Sequence, residues 1–319
     1  MDRNERVRRS VHFDTPDRTP LLLFNRDREQ SDIVLIDVVQ HFGGPARNRS
    51  EWGFEWERKD ETMGQPKERL IRQWCDLGNL KVPYPDSPSR FSAVKGEMQQ
   101  FGNRYFAASL GLSGFTVMHA LRGFAQTLED LALDAEHIGR LADLVFEFEE
   151  EIIRRLPAYG FDAVAFFDDW GMQDSLIISP RLWRSFFAPR YRRQFQLAHR
   201  LGLDVYFHCC GQIGEIISDF IELGVDILNI SQPNLFNIEA LGRAYAGKVC
   251  FLCPVSYQTT AISGTREDIF AEASRLVRNL GTPAGGFIGY VEEYSSIGLS
   301  EENYQNCRDA FESINGGTV

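Results

Sequence analysis

Eight short apolar runs, set apart by stretches of helical periodicity, constrain this chain more than any other feature. Thr19–Phe24, Ile33–Val39, Tyr105–Leu112, Asp162–Phe167, Asp204–His208, Asp226–Ile230, Lys248–Leu252 and Gly286–Val291 each read as a strand. Runs such as VAFF and VYFH are apolar on both alternating faces, which requires burial on both sides and so a parallel sheet covered by helices. Between the runs, helices are expected over Leu128–Leu156, from Ser179-Pro180 to about Leu201, and over Glu215–Leu223, Ile238–Tyr245 and Thr265–Leu280, with a last one opening at Ser300. Eight strand–helix units predict a (β/α)8 TIM barrel, read as one domain over residues 1–319. The rhythm breaks between about residues 43 and 98, where the chain is polar and rich in Trp, Gly and Pro. That stretch reads as an excursion between the second and third strands, with a hairpin at Trp52–Arg58.

Charge and composition remove several function classes. With 34 Lys and Arg against 45 Asp and Glu, the net charge is −11, so the chain repels phosphate backbones and is unsuited to nucleic acid. No apolar run approaches the ~20 residues needed to span a bilayer, and the charged Met1–Ser10 segment lacks a signal core, so a cytoplasmic location is expected. Six cysteines are too few for a disulfide scaffold in a chain this long, and read instead as thiols, core residues or ligands. Neither G-x-G-x-x-G nor G-x-x-x-x-G-K-[ST] occurs, which argues against dinucleotide and P-loop sites. The 24 Phe imply a large aromatic core or an aromatic-lined pocket.

In a barrel the chemistry lies at the C-terminal ends of the strands, and that filter selects few residues. His208-Cys209-Cys210-Gly211 ends the fifth strand. On an extended chain His208 and Cys210 share a side, so an imidazole and a thiolate can grip one borderline ion, zinc above all. The competing reading is a hydrogen-bonded core histidine with two cysteines as small apolar fillers. A third ligand is sought at the same rim. Glu292 and Glu293 end the last strand just past Tyr290, which is a candidate substrate contact. Cys253 ends the seventh strand and is the runner-up ligand, and Cys250 reads as core. Asp168-Asp169 ends the fourth strand. The pair can bind a substrate hydroxyl, act as acid and base, or take part in metal binding; alternatively one caps a turn and the other pairs with Arg181 or Arg184. Trp170 beside them suits an aromatic pocket wall. Arg26 and Arg28, after the first strand, can neutralise an anionic substrate or be surface arginines.

From about Arg6 to Phe311 the chain resembles the uroporphyrinogen decarboxylase superfamily, in particular its cobalamin-dependent methyltransferase branch. The resemblance is carried by ERVRRSVHFDTPDRTPLLL, DLGNLKVPYPDSP, FFDDWGMQDSLIISPRLWRSFFAPRYRRQF, VYFHCCGQI, GVDILNISQPN, KVCFLCPVSYQTT and GGFIGYVEEYSSIGLSEENY, and is most specific between Asp168 and Gly211. The superfamily's members are (β/α)8 barrels. Its true decarboxylases carry R-Q-A-G-R after the first strand and F-S-D after the second; here those places read Asn25-Arg26-Asp27-Arg28-Glu29 and Leu35-Ile36-Asp37-Val38-Val39. Its methyltransferases bind zinc through H-x-C after the fifth strand and a Cys after the eighth. His208 and Cys210 match the first pair, and Glu292 falls where the family has the Cys, with Glu293 one register away.

The resemblance implies a zinc-dependent methyltransferase that moves a methyl group from a small donor to the Co(I) corrinoid of a separate partner protein. A carboxylate ligand makes a harder Lewis acid than three soft ligands, which suits an ether oxygen and points to a methoxylated donor, aromatic ones included, and to O-demethylation. Two other classes stand beside it. One is a metal-free decarboxylase acting on a carboxylic acid, with Asp168 or Asp169 as acid near His208. The other is a non-catalytic binding barrel.

Overall fold

The computed structural model describes residues 1–40, 48–57, 64–292 and 297–314. Eight parallel strands form the sheet: β1 (Leu21–Phe24), β2 (Ile33–Asp37), β3 (Tyr105–Leu112), β4 (Ala163–Phe167), β5 (Asp204–Cys209), β6 (Ile227–Ile230), β7 (Cys250–Pro254) and β8 (Phe287–Glu292). Their order is β1-β8-β7-β6-β5-β4-β3-β2, so the chain winds once round a nearly closed (β/α)8 barrel. All eight runs read from the sequence are strands.

Alternation along each strand sorts its side chains into two layers. Leu23, Ile36, Val164, Phe166, Val205, Phe207, Leu228, Phe251, Cys253 and Val291 face outward into the helix layer. Leu22, Ile33, Tyr105, Ala107, Ala163, Ala165, Tyr206, Ile227, Leu252 and Ile288 fill the barrel interior. The floor of that interior is a helix that the sequence reading passed over as a charged segment. Arg3–Val11 starts at Asp2, whose carboxylate accepts from the Glu5 amide at 2.8 Å, and it inserts Val7 and Val11 among the inward side chains. Its polar face ties to the starts of the strands: Arg8 to Asp162 at 2.6 Å and Ser10 to the Phe287 carbonyl at 2.9 Å. With the N-terminal end closed in this way, the open mouth is the C-terminal end.

The seam between β1 and β2 has no strand ladder, and side chains replace it. Asp32 is fully buried. Its amide donates to the Leu21 carbonyl at 2.9 Å, and its carboxylate accepts from the Leu21 amide at 2.9 Å, from Arg6 at 3.0 Å and from Arg18 at 2.8 and 3.0 Å. Ser31 Oγ accepts from the Leu23 amide at 2.9 Å.

Three expectations need correction. The helix expected over 128–156 is two, Phe124–Leu133 and Ala135–Ile153, because Asp134 caps the second and accepts from the His137 amide at 3.3 Å. The helix from Ser179 is also two, Pro180–Phe186 and Ala188–Arg200, with Pro189 in the first turn of the second, where a missing N–H costs least. In the excursion the hairpin pairs Trp56–Glu57 with Gln65–Pro66, and helices form at Pro88–Phe91 and Val94–Phe101. The excursion's first residues, Arg58 and Glu293 lie outside the described residues. Among the described residues no helix is long and apolar enough to cross a membrane.

Removing the seam's carboxylate strands Arg18 and a strand amide, while Arg6 keeps Asp17 at 2.6 and 2.9 Å. Asp32→Ala is expected to cost about 3–5 kcal/mol, the scale of breaking a buried ion pair. Urea denaturation reads this out, and a loss below about 1 kcal/mol would show that the seam does not depend on Asp32.

Candidate metal centre

The neighbouring ends of β4 and β5 bring three ligand types to one point. Asp169 Oδ, His208 Nε2 and Cys210 Sγ all lie within 4.8 Å of one another, the one such group among the described residues. His208 Nε2 is 3.5 Å from Cys210 Sγ and 3.8 Å from Asp169 Oδ1. Zinc bonds to N, S and O of about 2.0–2.3 Å place tetrahedral ligand atoms about 3.4–3.6 Å apart, close to the separations here, so the three groups would fit one ion. His208 Nδ1 lies 2.6 Å from Asn229 Oδ1, which leaves Nε2 for the cluster. Burial by itself would lower the His208 pKa. The Cys210 sulfur beside it, with Asp169 and Asn229, outweighs burial and holds it up at about 10.

The β4 end is pinned from below. Asp168 is fully buried and faces away from the mouth. Its carboxylate accepts from the Phe115 and Thr116 amides at 2.8 Å each, from Thr116 Oγ1 at 2.7 Å and from the Tyr191 hydroxyl. Trp170, also fully buried, donates its indole N–H to Tyr191 at 3.1 Å and stacks on Phe115 at 4.6 Å. With the residues on either side anchored inward, Asp169 between them is turned to the rim, where its Oδ1 accepts from the Cys210 amide at 2.8 Å. Gly171 and Gly211 make the approach possible: a Cβ on either would collide with the other's backbone, and Gly211 sits at φ +78°.

The sequence candidates thus separate. His208, Cys210 and Asp169 come together. Asp168 and Trp170 stay outside the cluster: one is saturated by hydrogen bonds and the other is closed into an aromatic stack. Glu292 stands apart from the cluster, at the inward end of β8 beside Phe24 of β1, with β6 and β7 between it and β5. Tyr290 is inward and buried against Phe24. Cys253 lies on the helix-facing side of β7 and so cannot reach the mouth, and burial raises its thiol pKa. Cys250 is buried as expected. Arg26 makes a two-pronged pair with Glu301 at 2.7 Å and lies over the Tyr304 ring, and Arg28 pairs with Glu97 at 3.0 Å. Asn229 and Ser231 stand beside the cluster, and sequence reasoning missed them. Their signal was N-x-S on β6, which matches H-x-C on the strand it pairs with.

A family model for uroporphyrinogen decarboxylase (URO-D) matches residues 53–291, well over half of the chain. The chain belongs to the URO-D family. Over 98% of both chains, this URO-D member also superposes on a methyltransferase from Methanosarcina mazei, at a TM-score of 0.76 and 14% identity, a likeness of fold. A B12-independent methionine synthase from Shewanella sp. W3-18-1 shares 13% identity over 70% of this chain and 64% of its own, at a TM-score of 0.48, too loose to inform function. No curated protein matches the chain.

Beneath the site, Glu149 is buried with its oxygens accepting from the Gly114 amide and Gln194 Nε2 at 2.7 Å each. Burial, with Asp168 nearby, raises its pKa to about 8. The folded protein therefore keeps a proton that the unfolded chain has released between pH about 4.5 and 8, so stability falls as pH rises through that window. Glu149→Gln has no such proton, and thermal melts at pH 5 and 8 are expected to differ less for the variant than for the wild type. An equal difference in both would place the slope elsewhere.

Proposed function

We propose that this URO-D family member is a zinc-dependent methyltransferase that takes a methyl group from a methoxylated donor and passes it to the Co(I) corrinoid of a partner protein. The observation that carries the reading is the Asp169–His208–Cys210 cluster at the barrel's C-terminal mouth. The fold likeness to a methyltransferase over nearly the whole chain supports it. Asp169, His208 and Cys210 would hold the ion, with Asp169 as third ligand where the sequence resemblance pointed to Glu292. Zinc bound there supplies Lewis acidity at the heteroatom that carries the methyl group.

The chain's own residues do the rest. One carboxylate beside one thiolate makes the ligand set harder than an all-sulfur set, which favours an ether oxygen over a thiol. The donor's oxygen keeps the bonding pair as the methyl group leaves, and a positive site next to it stabilises the charge that develops. Phe167 lies against the His208 ring at 5.1 Å and shields that side of the cluster from water. The inward rings of Phe24 and Tyr290 offer an apolar wall for an aromatic donor. The metal-free decarboxylase is the weaker reading: Asp37 does end β2, but Arg26 and Arg28, which would hold a substrate's carboxylates, are engaged by Glu301 and Glu97.

Purified protein is expected to hold about one zinc per chain. Cys210→Ser and Asp169→Asn are expected to weaken zinc at least about tenfold, while Glu292→Gln keeps it. Incubation with cob(I)alamin and a panel of methoxyarenes, methylamines and methyl thioethers should give methylcobalamin with a methoxyarene. Zinc lost in Glu292→Gln and kept in Asp169→Asn would return the third ligand to β8. A zinc-free protein that releases CO2 from a carboxylic acid would overturn the methyltransferase.

A further inference from the structure

The candidate ligands at and just past the end of β5 each meet a polar partner at or just past the end of β6, and the partners are spaced as the ligands are. The ladder sets His208 opposite Asn229, and Ser231 follows two residues on, with its Oγ 3.2 Å from Cys210 Sγ. Asn229 is fully buried, and its amide has one orientation open to it. Nδ2 donates to the Leu252 carbonyl at 2.9 Å, a group that can only accept. Oδ1 therefore faces His208 Nδ1 at 2.6 Å and accepts the Tyr206 hydroxyl at 3.0 Å. Because Oδ1 only accepts, Nδ1 must carry a proton, so the nitrogen that can give up its proton to a metal is Nε2, which faces the cluster. The same reasoning orients Ser231. A metal-bound thiolate has no proton to give, so the hydroxyl donates to sulfur.

We propose that Asn229 and Ser231 are positioning residues of the metal centre. Asn229 fixes the tautomer and ring plane of His208, so that Nε2 is the ligand atom. Ser231 hydrogen-bonds the Cys210 thiolate, draws charge off the sulfur and leaves a bound ion more electrophilic. The inference rests on the reading of Asp169, His208 and Cys210 as a metal centre. Partners of this kind typically change metal affinity by about 10–100-fold.

The test has one arm without metal and one with it. In the apo-protein, NMR of labelled histidine is expected to show a downfield, exchange-protected His208 Nδ1–H signal that Asn229→Ala loses and Asn229→Asp, which keeps an acceptor, retains. With Co(II) as probe, Asn229→Ala is expected to weaken binding about 10–100-fold, with most of the loss recovered in Asn229→Asp. Ser231→Ala, at a half-buried position that tolerates truncation, is expected to shift the thiolate-to-cobalt charge-transfer band to longer wavelength. An unshifted band in Ser231→Ala, or a Nδ1–H signal that survives Asn229→Ala, overturns the assignment of that residue. Wild-type protein that takes up neither Co(II) nor zinc overturns the metal reading itself, and the apo-protein signal tells that failure apart from a wrong placement of Asn229.

Discussion

The site depends on one buried carboxylate. Asp168 sits beneath the mouth with its oxygens taken by two amides and two hydroxyls, from the segment after β3 and from helix Ala188–Arg200. Burial lifts its pKa to about 7, a cost the fold meets with four hydrogen bonds. In return the turn after β4 has a single course. Trp170 is held by Tyr191, Gly171 packs on Gly211, and Asp169 is left as the residue of that turn aimed at β5. A barrel strand end is an ordinary place for a functional group. What makes this one specific is that its neighbours in sequence are locked into the layer beneath it.

The second organising element is the β5–β6 ladder. Parallel pairing sets His208 opposite Asn229, and the residues just past the two strand ends, Cys210 and Ser231, meet in the same sense, so H-x-C faces N-x-S. His208 is thus positioned by the strand itself, Cys210 by standing just past its end, and Asp169 by an anchored turn. On this reading the ligand set is gathered from two adjacent strands, β4 and β5. That leaves the inward end of β8, with Glu292 and Tyr290, as the facing wall of the mouth, available to shape whatever enters.

The barrel was legible in the sequence because its cause is local. A strand covered on both faces must be apolar on both, and eight such runs with helices between them leave little choice of architecture. The His208–Cys210 pair was legible for the same reason, since period-2 geometry holds on any strand. The helix breaks at Asp134 and Phe187 were not, because the apolar stripe continues across each break and only capping and backbone direction mark it. The N-terminal helix was hidden because its sequence is dominated by arginines whose partners, Asp32 and Asp162, lie far along the chain.

Residue chemistry alone determined that this chain could offer an imidazole, a thiolate and several carboxylates at strand ends. Tertiary structure decided which carboxylate stands beside that pair. Asp168, Asp169 and Glu292 are equivalent as sequence, each an acid just at or past a strand. Only packing shows that the first is buried and saturated, that the second lies 3.8 Å from His208 Nε2, and that the third has two strands between it and β5. The physical reason is that strand periodicity fixes the side on which a residue projects within its own strand. Where a residue past the strand end points, and what stands beside it on the next strand, depends on contacts from segments dozens of residues away.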